Sequence, residues 1–342
     1  MSLTTHSGRG RRCRSGSFSK SNRRLDFRVA TLTSPTMHKP LVIGTRGSPL
    51  ALWQAHWVRD QLAATLDLTA DIDLHIPIQV ITTSGDRLKG DLSQWGGKGL
   101  FTRELELALL SRKIDLSVHS MKDVPTLSRD DLVIAAILER ADPRDAFLSP
   151  VASTLRDLPM GATIGSASIR RRAQAARLRP DLRFELLRGN VGTRLDKLKD
   201  GVVDATFLAC AGLDRLGMGV LATDRVSPET MLPAPAQGAV GVEVRRDDTR
   251  MRDIVSRLDH GPTRRAVTLE RAFLEALDGS CRTPIAALLS GDRFRGEVVA
   301  KDGSLTVSRD VTIPANSDIR TLGLDLGHYV REEIGDRIVF DD

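Results

Sequence analysis

Short apolar runs alternate along this chain with stretches where apolar residues recur every three or four positions, the pattern of strands interleaved with helices. Leu41-Val42-Ile43-Gly44 reads as a buried strand. Ser48 as N-cap and Pro49 at the first helical position open a helix through about Leu66. Leu50, Trp53, Trp57, Val58 and Leu62 step along one face of it. Ile76 to Thr83 is a second strand and Leu100 to about Arg112 an amphipathic helix. Ile114 to Val118 alternates apolar and polar residues, which predicts a half-buried third strand. The β-α-β-α-β order predicts a mostly parallel sheet.

The arrangement then begins again. Leu132–Leu138 is an apolar strand, and Glu139 to Arg144 marks a crossing between domains. Ala162–Gly165 is a strand, Ser166-Ala167-Ser168 a turn, and Ile169 opens a helix. Leu186-Leu187 reads as the end of a further strand, and Ala205–Ala209 as the next, with Cys210 inside its apolar pattern as a core residue. Pro233 to Val242 is a loop feeding a strand that returns to the first unit. A third unit starts near Gly261 with a helix carrying Ala266, Leu269, Phe273 and Leu277, stopped at Gly279. Short strands follow, with a hairpin at Asp302-Gly303 and a last helix over Asp318–Ile334. The chain therefore divides into residues 39–138 with 239–257, residues 144–235, and residues 261–342.

Polar groups gather where these strands end, as open α/β sheets commonly present chemistry. The third strand runs out into Ser117-Val118-His119-Ser120-Met121-Lys122-Asp123-Val124-Pro125. A carboxylate at Asp123, beside Lys122, suits accepting N–H bonds or steadying a developing cation; a solvated turn with a chance ion pair is the plainer alternative. Arg46 and Ser48 stand at a helix N-terminus, which favours an anion. Capping alone accounts for Ser48 but not for Arg46. Arg170, Arg171 and Arg172 follow Ser168 in the first turn of a helix, where they oppose its dipole and cost stability unless something negative sits there. Arg188 and Arg194 lie in another Gly-rich strand exit. The loop Gln94-Trp95-Gly96-Gly97-Lys98-Gly99 lacks the Gly and Ser/Thr positions of a P-loop, so Lys98 reads as an exposed cation over a cleft. Cys281 sits on a loop beside Arg282, a setting that lowers a thiol's pKa and suits either a nucleophile or an attachment point. No sequence-local histidine signature supports a cysteine hydrolase.

The net charge of +6 changes the picture less than it first suggests. Residues 1–38 hold eight basic residues and one acid, so the rest of the chain carries −1. Nucleic acid is thus not an expected partner. No apolar run approaches the ~18 residues of a membrane span, so no membrane is expected either. Residues 1–38 form an Arg- and Ser-rich leader without an apolar centre, expected to be disordered: an organellar transit peptide, or sequence ahead of a true start at Met37. Three scattered cysteines and seven histidines without metal-ligand spacing predict no metal site. The expectation is a cytoplasmic monomer, or a stromal or matrix protein if the leader is a transit peptide.

Seven stretches in order, GTRGSPLALWQA, GGKGLFTRELE, DLSVHSMKDVP, GSASIRRRAQ, LLRGNVGTRLDKL, PAPAQGAVGVE and DGSCRTPIAA, closely resemble the porphobilinogen deaminases from about Leu41 to Ala287. The resemblance implies an α/β protein with two periplasmic-binding-protein-like lobes, mostly parallel sheets, and a smaller α/β third domain. It implies a dipyrromethane cofactor held as a thioether at Cys281. Four porphobilinogens would be condensed head to tail onto it with loss of ammonia, and hydrolysis would free hydroxymethylbilane. The family's catalytic aspartate falls on Asp123. Its cofactor and substrate arginines fall on Arg46, Arg170, Arg171, Arg188 and Arg194, with Ser48, Ser168, Lys98 and Lys122 as helpers. Gln94 stands where many relatives have a lysine, so it receives no charge-binding role, and Ser280 replaces a glycine ahead of the cysteine. The rival function is a non-catalytic two-lobed polycarboxylate-binding protein, for which a tethering thiol has no use.

Overall fold

The structure, a computed structural model, describes residues 39–87, 99–127, 129–277 and 283–338. The leader, Lys98 and Cys281 lie outside the described residues.

In the first lobe the chain runs β1 (Ile43–Thr45), α1 (Pro49–Thr65), α2 (Ile72–His75), β2 (Ile78–Val80), α3 (Ser84–Arg87), α4 (Arg103–Leu110), β3 (Leu116–Ser120) and β4 (Leu132–Ile137). The second lobe contributes β5 (Asp145–Leu148), β6 (Thr163–Gly165), α5 (Ile169–Leu178), β7 (Arg183–Glu185), α6 (Val191–Lys199), β8 (Ala205–Ala209), α7 (Cys210–Arg215) and β9 (Asp224–Val226). The chain then returns through β10 (Val240–Arg245) and α8 (Thr249–Ser256). It ends in α9 (Gly261–Ala276), β11 (Ile285–Ser290), β12 (Arg293–Val299), β13 (Thr306–Thr312) and α10 (Ile319–Ile334).

The two five-stranded sheets share one plan. Their orders are β2-β1-β3-β10-β4 and β7-β6-β8-β5-β9. In each, four strands point the same way, and a strand reached by an inter-lobe crossing is inserted against them: β10 between β3 and β4, β5 between β8 and β9. The two crossings lie side by side, with Leu138 N–H donating to Val240 O and Ala141 N–H to Gly238 O. Gly238 has φ +91°, and a Cβ there would lie 2.7 Å from Ala141 O, so the crossing accepts no larger residue without shifting.

Helices cover both faces of the first sheet. Ala55, Val58 and Leu62 of α1 pack with Leu116, Val118, Val240 and Val242, and Leu105 and Leu109 of α4 pack with Ile114 and Leu132. Each fully buried Leu or Ile contributes about 1.5–3 kcal/mol. The second lobe is covered likewise, with Phe147 and Phe207 at its centre, ring centroids 5.6 Å apart. In the third unit α9 and α10 pack on the antiparallel β11-β12-β13 sheet.

Three expectations need correcting. β3 is central and buried on both faces, not half-buried. Its alternating polar residues belong to an internal network in which His119 Nε2 lies 2.8 Å from Ser117 Oγ and 3.0 Å from Glu243 Oε2 on β10. The strand assigned to Leu186-Leu187 ends earlier, at Glu185. Cys210 is a core residue as expected, but it starts helix α7 instead of ending a strand.

Candidate active-site cleft

Asp123 closes a single 3-10 turn, Met121–Asp123, at the C-terminal end of β3. Buried Met121 and Val124 anchor that turn, leaving Lys122 and Asp123 partly accessible between them. Lys122 and Asp123 feel the charges of the second lobe. Although Lys122 keeps part of its surface, burial of its ammonium pushes its pKa down to about 8; Arg171 and Arg170 push the same way, while Asp123 and Asp145 oppose them. Its Nζ lies 3.5 Å from Gln237 Oε1, on the loop that returns to the first lobe.

Arg194 stands in the first turn of α6, whose cap is Asn190 accepting from Thr193 N–H. Its Nε donates to Gly189 O at 2.9 Å, and none of the ion pairs among the described residues includes it. Burial lowers its pKa to about 10, with Arg171 and Arg188 adding to the shift and Asp123 opposing it. Asp123, Lys122, Arg171, Arg188 and Arg194 thus share one electrostatic neighbourhood in which positive charge exceeds negative.

Arg170 and Arg171 sit differently from what their sequence position suggests. Both are buried, at 5% and 6% exposure, and the negative partner they need is Asp145 of the same chain, itself 0% exposed. Arg170 Nη1 donates to Asp145 Oδ2 at 2.8 Å and to Leu232 O at 2.8 Å. Arg171 donates through Nε at 3.0 Å and Nη2 at 2.7 Å to Asp145 Oδ1, and through Nη1 to Phe207 O. Burial works against the Asp145 carboxylate, but the two arginines overcome it and hold its pKa far below the usual carboxylate range. Gln237 Nε2 also donates to Asp145 Oδ1, at 2.9 Å, joining this cluster to Lys122. The dipole argument for a bound anion is therefore met inside the protein.

Arg46 is paired as well. Its Nε lies 3.2 and 3.3 Å from the two Asp86 carboxylate oxygens, Nη2 donates to Oδ1, and its guanidinium stacks 4.2 Å from the Phe101 ring centroid. Ser48 and Ser168 cap α1 and α5, accepting from Ala51 N–H and Arg171 N–H. Sequence reasoning missed Asp145, Asp86 and Gln237. Cys210 offers no competing nucleophile, since burial pushes its thiol up to about 12. Among the described residues no cluster of His, Cys, Asp and Glu suits a metal, and no helix is long and apolar enough to cross a membrane.

The third unit is joined to the two crossings through α9. Glu270, 0% exposed, binds Arg140 on one crossing bidentately at 2.6 and 3.0 Å and accepts from Ala236 N–H on the other at 2.7 Å.

Lys122 and Arg194, which form no ion pair among the described residues, stand beside a carboxylate and fit a ligand carrying several carboxylates, which guanidinium forks bind well. Comparison with known proteins supplies the rest. Residues 41–253 match the family described as "Porphobilinogen deaminase, dipyromethane cofactor binding domain", and residues 264–333 match "Porphobilinogen deaminase, C-terminal domain". A porphobilinogen deaminase of Paracoccus denitrificans is 52% identical over 302 residues, 87% of this chain and 95% of that one. Another from Nitrobacter winogradskyi is 48% identical over 302 residues, 86% and 94% of the two chains. Among solved structures, a periplasmic substrate-binding protein of an ABC transporter from Coxiella burnetii aligns over 65% of this chain and 93% of its own, at 18% identity and a TM-score of 0.40. A putative methionine-binding lipoprotein from Bacillus subtilis covers 66% and 92%, at 14% identity and a TM-score of 0.39.

Proposed function

Because the chain belongs to the porphobilinogen deaminase family, we propose that its cleft divides the family's reaction between a carboxylate from one lobe and cations from the other. The reaction is the head-to-tail condensation of porphobilinogen with loss of ammonia, a transferase step of tetrapyrrole synthesis. Cys281 would hold the dipyrromethane cofactor as a thioether, and the cofactor would then supply the pyrrole end onto which the chain is built.

As ammonia leaves, positive charge develops on the pyrrole ring. The Asp123 carboxylate accepts the ring N–H and stabilises that charge, in a site where little reorganisation is needed. Asp123 or a water beside it then takes the proton released when the new carbon–carbon bond forms. Lys122, Arg188 and Arg194 receive the acetate and propionate groups. Arg170 and Arg171, fixed by Asp145, add field and hold the helix terminus that Ser168 caps. Arg46 and Ser48 serve the first lobe's helix start in the same way, and Lys98 is a further cation for the substrate carboxylates. The single observation that carries this reading is that Lys122, next to Asp123, reaches the second lobe's Asp145–Arg171 cluster through Gln237, with Lys122 Nζ 3.5 Å from Gln237 Oε1 and Gln237 Nε2 2.9 Å from Asp145 Oδ1. A non-catalytic polycarboxylate receptor draws only on the two-lobed plan.

Intact-mass spectrometry tests the tether. Wild-type protein should carry an adduct of two pyrrole units, and Cys281→Ser should fold without it. An adduct that survives in Cys281→Ser would refute the assignment.

A further inference from the structure

Helix α9 uses more than one face. Ala266, Leu269 and Phe273 fill the core of the third unit, while Val267 joins Met121, Val124 and Ala236 in a separate cluster. One helical turn beyond Val267 stands Arg271. Its Nη1 donates to Met121 O at 3.2 Å and to Val124 O at 2.8 Å, and its Nη2 to Pro125 O at 2.6 Å. These carbonyls lie on both sides of Lys122 and Asp123. The turn has few bonds of its own: Val124 N–H reaches Met121 O at 3.4 Å, and Met121 N–H reaches Ala239 O at 3.0 Å.

No ion pair among the described residues includes Arg271. Burial lowers its pKa to about 10, opposed by the charges of Glu275 and Glu243, so the group stays charged at neutral pH. Removing a guanidinium from water without a contacting carboxylate is costly, and the three carbonyls are what compensates it. Beyond Arg271 the helix runs five residues further to Ala276, about 7.5 Å. Asp278 to Arg282, the segment containing Cys281, follows within the next few residues.

We propose that Arg271 is a positioning residue for Asp123: it clamps the Met121–Pro125 turn to α9 and so fixes where the carboxylate stands. This rests on the reading of Asp123 as the catalytic carboxylate. Misplacing a reacting group by about 1 Å can cost about a hundredfold in rate.

The test uses holoenzyme of Arg271→Met and Arg271→Lys, with cofactor loading checked by intact mass. kcat and KM for porphobilinogen are measured together with hydrogen exchange at the Val124 amide. In Arg271→Met, kcat should fall on the order of tenfold to a hundredfold with KM changed less than about threefold, and Val124 should exchange at least about tenfold faster. Arg271→Lys, which keeps the charge but not the fork, should fall between this variant and wild type. Wild-type kcat in Arg271→Met, or a loss of kcat with Val124 exchange unchanged, overturns the proposal. If Arg271→Met does not fold, Arg271→Lys decides by the same two readouts. Asp123→Asn separates the two claims: wild-type turnover in that variant refutes the catalytic assignment, while Val124 exchange still reports on the clamp.

Discussion

The two lobes are built alike and charged differently. Each contains a strand that leads into a serine-capped helix with an arginine at or near its start, and each takes one antiparallel strand from a crossing. In the first lobe the arginine, Arg46, meets Asp86 near the surface beside Phe101. In the second, Arg170 and Arg171 share Asp145 in the interior. The first lobe then offers an acid, Asp123, at its central strand end, and the second offers cations, Arg188 and Arg194, beyond its edge strand. One topology can therefore supply both halves of a charge-separating reaction, provided each lobe neutralises its own helix-start arginines first.

The largest way to break the comparison is at the buried cluster. Asp145→Asn leaves two buried guanidiniums without their carboxylate and should destabilise folding by about 3–5 kcal/mol in urea or thermal denaturation, whereas the same change at Asp86, in a partly exposed pair, should cost less than about 1 kcal/mol. Equal costs would contradict the distinction between the lobes. Next in size is Arg194→Gln. Removing a charged donor to substrate carboxylates loses about 1.5–3 kcal/mol of binding, so KM for porphobilinogen should rise about tenfold to a hundredfold with the unfolding midpoint unchanged. An unchanged KM would remove Arg194 from the ligand site.

The smallest effect is a pH dependence. Lys122 loses its proton near pH 8 without a bound anion, so the affinity of cofactor-free protein for a polycarboxylate should weaken as pH rises through about 8. For folding the sign is opposite: the unfolded chain holds that proton at a higher pH, so the cost of burying the ammonium fades as pH rises above about 8. Isothermal titration calorimetry across pH 7–9 should show the affinity step in wild type and not in Lys122→Gln; a step of equal size in both would place the titrating group elsewhere.

Local pattern made much of the fold legible, because strand periodicity, caps and turns are written within a few residues. Ser48 and Ser168 cap their helices, and the Asp302-Gly303 turn joins β12 to β13. What local pattern could not reveal is which distant group satisfies a charge. Asp145 is 25 and 26 residues from its arginines, Asp86 is 40 from Arg46, and Glu243 is 124 from His119. Polar alternation in β3 therefore reads as a half-buried strand, although it marks a buried network. The arginines of α5 looked ligand-seeking because their counter-charge lies on β5, beyond the reach of helix-local reasoning. Lys98 and Cys281 remain expectations from sequence, since both lie outside the described residues.

The central claim is that Asp123 drives elongation of a chain anchored at Cys281. Exposing wild-type and Asp123→Asn protein to porphobilinogen and following intact mass over time addresses it directly. Wild type should gain mass in one-ring steps located to the peptide containing Cys281, while folded Asp123→Asn should gain them on the order of a hundredfold to a thousandfold more slowly. One-ring steps at the wild-type rate in Asp123→Asn, or located on another peptide, would contradict the account.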